Sequence, residues 1–170
     1  VKIMAPILPF TAEEIYAHMP RSGNAASSIH LAPMVSLDPA LEDQALAGKW
    51  EQIRALRAEV TKALEEARKQ KLIGHPLDAF VTIELPDSEL KTLVQALPET
   101  LHDIFIVSQA EMTETLDRAS AYEGREIEGL FIQVDKAVGE KCGRCWRFDT
   151  STGQDADFPD TCNRCSTVLK

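Results

Sequence analysis

The sequence lacks several features, and each absence excludes a class of protein. No apolar run approaches the roughly 18 residues that a membrane-spanning helix needs. The N-terminus also lacks the charged region, apolar block and small-residue cleavage site of a secretion signal. No start methionine precedes Val1, which lies in an apolar stretch, so we expect a piece of a longer chain. We therefore expect a cytoplasmic protein with no membrane partner.

Catalytic motifs for nucleotide chemistry are missing as well, because no Gly-rich phosphate loop occurs anywhere in the chain. Apolar residues make up 44% of the 170 residues and charged residues 26%, which are ordinary values for a globular protein. A chain of this length holds one domain or two small ones. Composition thus leaves the number of domains open.

Basic residues are scarce, since 18 Lys and Arg stand against 27 Asp and Glu, for a net charge of -9. This balance opposes a nucleic-acid partner, because phosphate binding needs cations. The acidic excess is local, however. Residues 76–135 carry a net charge of -10, whereas residues 41–75 and 136–170 each carry +1 and together hold thirteen of the basic residues. An RNA contact would belong to these two segments.

The longest periodic segment predicts a helix over residues 49–71. Its apolar residues recur at steps of three and four, which places them on one helix face. They are Leu46, Trp50, Ile53, Leu56, Val60, Leu64 and Ala67. Gly74 and Pro76 end the pattern. At 1.5 Å per residue the helix would be roughly 35 Å long, a length that suits a helical bundle.

Shorter patterns predict the remaining elements. Thr11 and Glu14 stand at capping-box spacing, which predicts a short helix ending at about Met19. Alternation over residues 79–85 predicts a strand. The other predicted elements are an extended piece at 29–31, a helix at 88–97, a turn at 99–103, and strands at 104–108 and 129–134.

Together these elements predict an α+β fold with three parts. Residues 1–75 form part of a helical bundle with one long helix. Residues 76–135 form a small mixed sheet with covering helices, of unknown strand order. Residues 136–170 form a terminal four-cysteine zinc ribbon.

All four cysteines lie in the last part, as two Cys-x-x-Cys pairs: Cys142 with Cys145, and Cys162 with Cys165. Two residues between thiolates let both sulfurs of a pair bind one ion, and two such pairs complete a tetrahedron of soft ligands. The spacing predicts one structural Zn²⁺ with no open position for catalysis. A redox pair and two disulfides are the competing interpretations.

Three stretches of sequence point to one family. They are APILPFTAEEIY with the following SIHL, the helix beyond Trp50 with IG and AFV after it, and EKCGRCW with CNRC. The first resembles the opening of the anticodon-binding domain in isoleucyl, valyl and leucyl-tRNA synthetases. The second resembles the last helix of that domain. The third resembles the terminal zinc module that separates bacterial-type isoleucyl-tRNA synthetases from their relatives.

The resemblance implies that the parent enzyme attaches isoleucine to tRNA(Ile) with ATP and Mg²⁺. The family's two ATP-site signatures, HIGH and KMSKS, do not occur in this sequence. We therefore expect a part without catalytic residues, whose partners are the anticodon stem-loop and the remainder of the synthetase chain. The zinc module also resembles the terminal finger of a family of DNA-repair glycosylases, so a DNA-binding module and a purely structural tail remain alternatives.

Two sets of residues are candidate RNA contacts, because phosphates attract guanidinium groups and unpaired bases stack on aromatic rings. On one edge of the long helix they are Trp50, Arg54, Arg57 and Arg68, beside Thr61. In the zinc module they are Arg144, Trp146, Arg147 and Arg164. Alternatively, the helix arginines pair with Glu51 or Glu65, and Trp146 forms the small core of the module.

Overall fold

The computed structural model describes residues 1–97 and 100–170. It contains two compact units, residues 1–43 and residues 44–170. The predicted turn at 99–103 begins outside the described residues, at Glu99. The predicted α+β class is confirmed, because a long helix, a small mixed sheet and a cluster of four cysteines are all present. The domain boundaries at residues 75 and 135 stay a prediction.

The first unit contains helix α1, Pro9–His18, and a one-turn 3-10 helix at Ile29–Leu31. The predicted capping box is wrong, because Pro9 opens the helix and Thr11 already lies inside it. Glu13 instead accepts hydrogen bonds from Ser28 Oγ at 2.8 Å and from the Ile29 N–H at 3.1 Å. The extended piece predicted at 29–31 is also wrong, because Ser28 caps a 3-10 helical turn there.

The second unit begins with helix α2, Gln44–Lys69, which is 26 residues long. The predicted helix is confirmed, with a start five residues earlier. Its apolar face is buried from Ile53 to Ala67, whereas Leu46 and Trp50 at the start of the stripe remain half exposed. A full C-terminal turn follows, in which the Leu72 N–H donates to Ala67 O at 3.0 Å.

Four strands form the sheet of this unit, in the order β2-β1-β4-β3. They are β1, Ala79–Glu84; β2, Gln109–Thr113; β3, Tyr122–Glu123; and β4, Phe131–Lys136. β1 is central, parallel to β2 and antiparallel to β4. The strand predicted at 79–85 is therefore confirmed, and the one at 129–134 lies two residues further along.

Two short helices connect β1 to β2: α3, Glu89–Gln95, and α4, Leu101–Phe105. The helix predicted at 88–97 is confirmed, with Ser88 as its cap. The strand predicted at 104–108 is wrong, because Ile104 and Phe105 end α4 and Ile106 takes a left-handed backbone conformation, φ 58°. A short apolar run does not distinguish a strand from a buried helical turn.

One apolar core joins α2 to the sheet. Val60, fully buried on α2, belongs to the same cluster as Val81 and Ile83 of β1 and Leu101 of α4. The remaining elements are the hairpin strands β5, Glu140–Lys141, and β6, Phe148–Asp149, and the terminal helix α5, Asn163–Leu169. We call residues 137–170 the cysteine module. Its buried cluster consists of cysteines alone.

Candidate metal centre and nucleic-acid interface

The hairpin and the terminal helix bring the four cysteines to one point. Cys142 directly follows β5, and Cys162 is the residue before α5, whose first turn carries Cys165. All four Sγ atoms lie within 4.8 Å of one another. Cys145 is partly exposed and the other three are buried. The spacing of the sequence is thus realised as a single cluster.

This cluster fits a tetrahedral zinc ion. Cys145 Sγ and Cys162 Sγ, which come from different pairs, are 3.8 Å apart. Zinc–sulfur bonds of about 2.3 Å place two ligands of a tetrahedron about 3.8 Å apart. A disulfide needs about 2.05 Å between its sulfurs, and all four cysteines are free. Four thiols around one point favour a metal over two disulfides or a lone redox pair.

Hydrogen bonds to Cys142 favour the thiolate form that a metal requires, whereas burial opposes that form at Cys162. The Cys162 N–H donates to Cys142 Sγ at 3.3 Å, and Arg144 donates to Cys165 Sγ at 3.6 Å. Burial acts to raise the pKa of Cys142, but backbone N–H groups outweigh it and lower the pKa to about 6. Burial raises the pKa of Cys162 to about 12. These donors would offset the negative charge of four bound thiolates.

The turn between Cys142 and β6 turns Trp146 outward. The Trp146 N–H donates to Cys142 O at 2.9 Å, and the Cys142 N–H donates to Arg147 O at 2.8 Å. To close this turn Trp146 adopts a left-handed backbone, φ 66°, and its side chain is 62% exposed. The indole is therefore available to a partner, and the cysteines fill the centre of the module.

The three arginines of the module differ in their surroundings. Arg144 and Arg164 are exposed, and a hydrogen bond to Cys145 raises the pKa of Arg164. Arg147 is mostly buried and forms an ion pair with Asp103 of α4, which lowers the pKa of that carboxyl. Arg144, Trp146 and Arg164 are thus exposed, and we call these three residues the knuckle surface, while Arg147 is mostly buried in a depression that Arg164 also lines.

On α2, the candidates Trp50, Arg54, Arg57 and Arg68 are all exposed. Arg54 pairs with Glu51 at 2.8 Å, and Arg68 pairs with Glu65 at 2.8 Å. Arg57 has no side-chain partner within residues 1–97 and 100–170. The alternative of intrahelical pairing thus describes two of the three arginines, although such exposed pairs are weak and exchange readily with phosphate.

Sequence reasoning missed Glu59, a fully buried carboxylate on α2. It accepts hydrogen bonds from Lys62 Nζ at 2.6 Å, Tyr122 OH at 3.1 Å and the Arg125 N–H at 2.9 Å. Burial opposes ionisation, but these donors lower the pKa of Glu59. The signal was present, because Glu59 stands three residues after Leu56 and four before Ala63, both of which lie on the buried face of the helix.

Comparison with known proteins defines the class of this chain. Residues 1–83 match the family model described as the anticodon-binding domain of tRNA ligase. Residues 139–168 match the zinc finger found in FPG and IleRS, and this range contains all four cysteines. No helix in the described parts of the chain is both long and apolar enough to cross a membrane. The chain is thus a tRNA-ligase segment that combines an anticodon-binding domain with a zinc finger.

Its relatives identify the family. The chain is 41% identical over 168 residues to an isoleucine–tRNA ligase of Syntrophotalea carbinolica, covering 99% of this chain and 18% of the relative. It is 42% identical over 171 residues to that of Geobacter sulfurreducens, covering 100% of this chain and 18% of the relative. The chain belongs to the isoleucine–tRNA ligase family and corresponds to a C-terminal segment of its members.

Proposed function

We propose that this chain holds the anticodon end of tRNA(Ile) for an isoleucine–tRNA ligase. The observation that carries the proposal is the knuckle surface, which presents an exposed indole and two exposed guanidinium groups in a chain that also matches an anticodon-binding domain. The chain spans about 18% of the length of the relatives it matches. The chemistry of the whole ligase, with ATP and Mg²⁺ in the cytoplasm, therefore belongs to the proposal as well.

The metal has a structural role in this proposal. Cys142, Cys145, Cys162 and Cys165 would hold one Zn²⁺, with all four positions filled by thiolates. No position would remain for water or substrate, so the ion would supply folding energy and no catalysis. Its effect on RNA binding would be indirect, because it fixes the turn that exposes Trp146.

RNA would be bound by two kinds of contact. Arg144 and Arg164, with Arg57 and the exchangeable Arg54 and Arg68 on α2, would bind phosphates. Trp146 and Trp50 are exposed rings on which unpaired bases can stack. Arg147 would have a structural role, because its ion pair with Asp103 links the cysteine module to α4.

Binding of the isoleucine tRNA to the zinc-loaded chain tests this proposal. We expect Trp146→Ala to weaken binding by about 1 to 3 kcal/mol. We expect Arg144→Ala with Arg164→Ala to reduce the dependence of log K on log salt by about 0.7 for each lost phosphate contact. Lys170→Ala is the control, because it removes a cation of the same module that pairs with Asp155. Unchanged tRNA affinity in all variants at low and physiological salt would make the module a structural tail.

The proposal also includes the absence of catalysis. We expect the purified chain to give no isoleucine-dependent pyrophosphate exchange, because the family's ATP-site signatures do not occur in it. An exchange signal that survives further purification would contradict this part. A DNA-binding function predicts preference for duplex DNA over the tRNA, and competition between the two measures it.

A further inference from the structure

A cleft with a volume of about 650 Å³ lies where the end of α2 meets the sheet and the cysteine module. Its walls combine three cationic side chains, Arg68, Lys71 and Lys136, with the ring of Phe148 and the side chain of Leu72. Volumes of this size are typical of sites for small ligands. The cleft is separate from the knuckle surface, whose Trp146 and arginines do not line it.

The charge of this cleft is positive in an acidic chain. Its one carboxylate, Asp78, already accepts the N–H groups of Gly74 at 3.0 Å and His75 at 2.7 Å. Arg68 pairs with Glu65 across the helix surface. Within residues 1–97 and 100–170, neither Lys71 nor Lys136 has an ion-pair partner. Two unpaired ammonium groups at one cleft favour an anion there.

The backbone at Lys71 is a second, independent observation. α2 ends in a Schellman motif. In it, the Lys71 N–H donates to Arg68 O and the Leu72 N–H donates to Ala67 O, both at 3.0 Å. The motif requires a left-handed residue at this position, where glycine is preferred. This chain has a lysine there, with φ 61°. Residues other than glycine in such strained backbone conformations cluster at active sites and ligand-binding sites.

We infer that this cleft binds one unpaired nucleotide of the RNA, with its phosphate on Lys71 and Lys136 and its base against Phe148. The inference rests on the proposed function and extends it to residues that neither the knuckle surface nor the exposed edge of α2 includes, apart from Arg68. An unpaired nucleotide combines an anion with a flat apolar face, as the cleft combines ammonium groups with a ring. An acidic peptide supplies the anion without the flat face.

The decisive variant is Lys71→Gly, because it separates stability from binding. Glycine relieves the left-handed backbone, so we expect a higher melting temperature. Loss of the ammonium group should weaken binding of the zinc-loaded chain to the anticodon stem-loop of the isoleucine tRNA about 3- to 10-fold. It should also reduce the slope of log K against log salt concentration by about 0.7. A purely structural role for Lys71 predicts that stability changes while the salt dependence does not.

Matched variants sharpen the test. Lys69→Ala removes a neighbouring ammonium that lines a different depression, beside Tyr122 and Arg125, and should leave affinity unchanged. Lys136→Ala should resemble Lys71→Gly in binding. Phe148→Leu, with its zinc content and circular dichroism verified, should reduce the preference for the stem-loop over a fully paired RNA duplex about 5-fold, because a base then loses its stacking partner.

The outcomes separate the two proposals. If Trp146→Ala weakens RNA binding while Lys71→Gly and Lys136→Ala bind with the affinity and salt dependence of the original chain, the cleft does not bind RNA and the proposed function stands. If the chain binds no RNA, both proposals fall. If the lysine variants lose affinity equally for stem-loop and duplex and Phe148→Leu changes neither, the cleft binds a phosphate without its base, and the nucleotide assignment is wrong.

Discussion

The sheet region and the cysteine module of this chain are stabilised by different means. From α2 to β4, a continuous apolar core contains side chains of the main elements, such as Leu56 of α2, Val81 of β1 and Ile132 of β4. Residues 137–170 bury only cysteines as a cluster. The sheet region is stabilised by the burial of apolar surface. The cysteine module depends on a bound ion and on a few polar contacts with the sheet region. The comparison predicts that each region fails under different treatments.

The largest difference should come from loss of the metal. Removing zinc with a chelator, or replacing Cys142 or Cys165 by Ser, should unfold residues 137–170, because structural zinc contributes about 10 to 16 kcal/mol of binding free energy in small fingers. α2 and the sheet should keep their circular dichroism. Limited proteolysis measures this, with cuts confined to the module.

Thr167→Ala is the control for these variants, since Thr167 is exposed on α5 and binds no metal. It should retain one zinc per chain by elemental analysis. If the chelated chain resists proteolysis in the module, or if two disulfides can be titrated in place of zinc, the comparison between an apolar and a metal-held region is wrong.

A smaller effect should follow from Glu59→Gln, which acts on the apolar region alone. The amide keeps an acceptor for Tyr122 and Arg125 but loses the charge that binds Lys62, at a cost of about 1 to 3 kcal/mol. Urea unfolding monitored at α2 measures it, while zinc content should not change. Glu51→Gln, an exposed change on the same helix, should cost less than about 0.5 kcal/mol.

The pH dependence of the same site gives a signed prediction. The pKa of Glu59 in the folded chain lies below its ordinary value of 4.5, because its donors outweigh burial. Its contribution to stability is therefore complete above pH 4.5 and is lost as the pH falls through the lower, folded pKa. Glu59→Gln should reduce the change of the unfolding free energy with pH in that range. A variant that follows the original curve there would show that Glu59 is not ionised in the core.

The smallest effect should come from one contact among those that join the two regions. Arg147 pairs with Asp103, whose side chain is half exposed, so the pair should contribute only about 0.5 to 1 kcal/mol. A double-mutant cycle with Arg147→Ala and Asp103→Ala isolates this term. We expect RNA binding to remain, because Arg147 is not on the knuckle surface. A coupling energy near zero would mean that other contacts join the two regions, such as the hydrogen bonds of the Gln109 side chain with the Val138 backbone.

Local patterns could be predicted from the sequence because they depend on neighbouring residues. The period of α2 and the Cys-x-x-Cys pairs each place side chains within one or two turns of chain, so helix and metal cluster followed directly. The contacts that Glu59 and Arg147 make could not be predicted in this way. Their partners Tyr122 and Asp103 lie 63 and 44 residues away along the chain, and only the tertiary fold brings them close.

Two of the three errors in secondary structure arise where one signal outweighed another. Thr11 has the residue type of a cap, but Pro9 fixes the helix start upstream because its ring already has a helical φ. Ile104 and Phe105 have strand-forming side chains, yet Phe105 is buried as the end of a helical turn. At Pro9 one local preference thus outweighed another, whereas at Phe105 packing outweighed local preference, which is weak for segments of one or two turns.

Ser108 has a consequence for the order in which the chain folds. Its hydroxyl donates to Leu77 O at 2.5 Å and accepts from the Phe148 N–H at 2.8 Å, so it links two segments made at different times during synthesis. The first contact is available once β2 has emerged from the ribosome, and the second waits for residues forty positions later. The cysteine module, closed by short loops, can bind its ion quickly, but it gains a fixed orientation only on a sheet that is already complete.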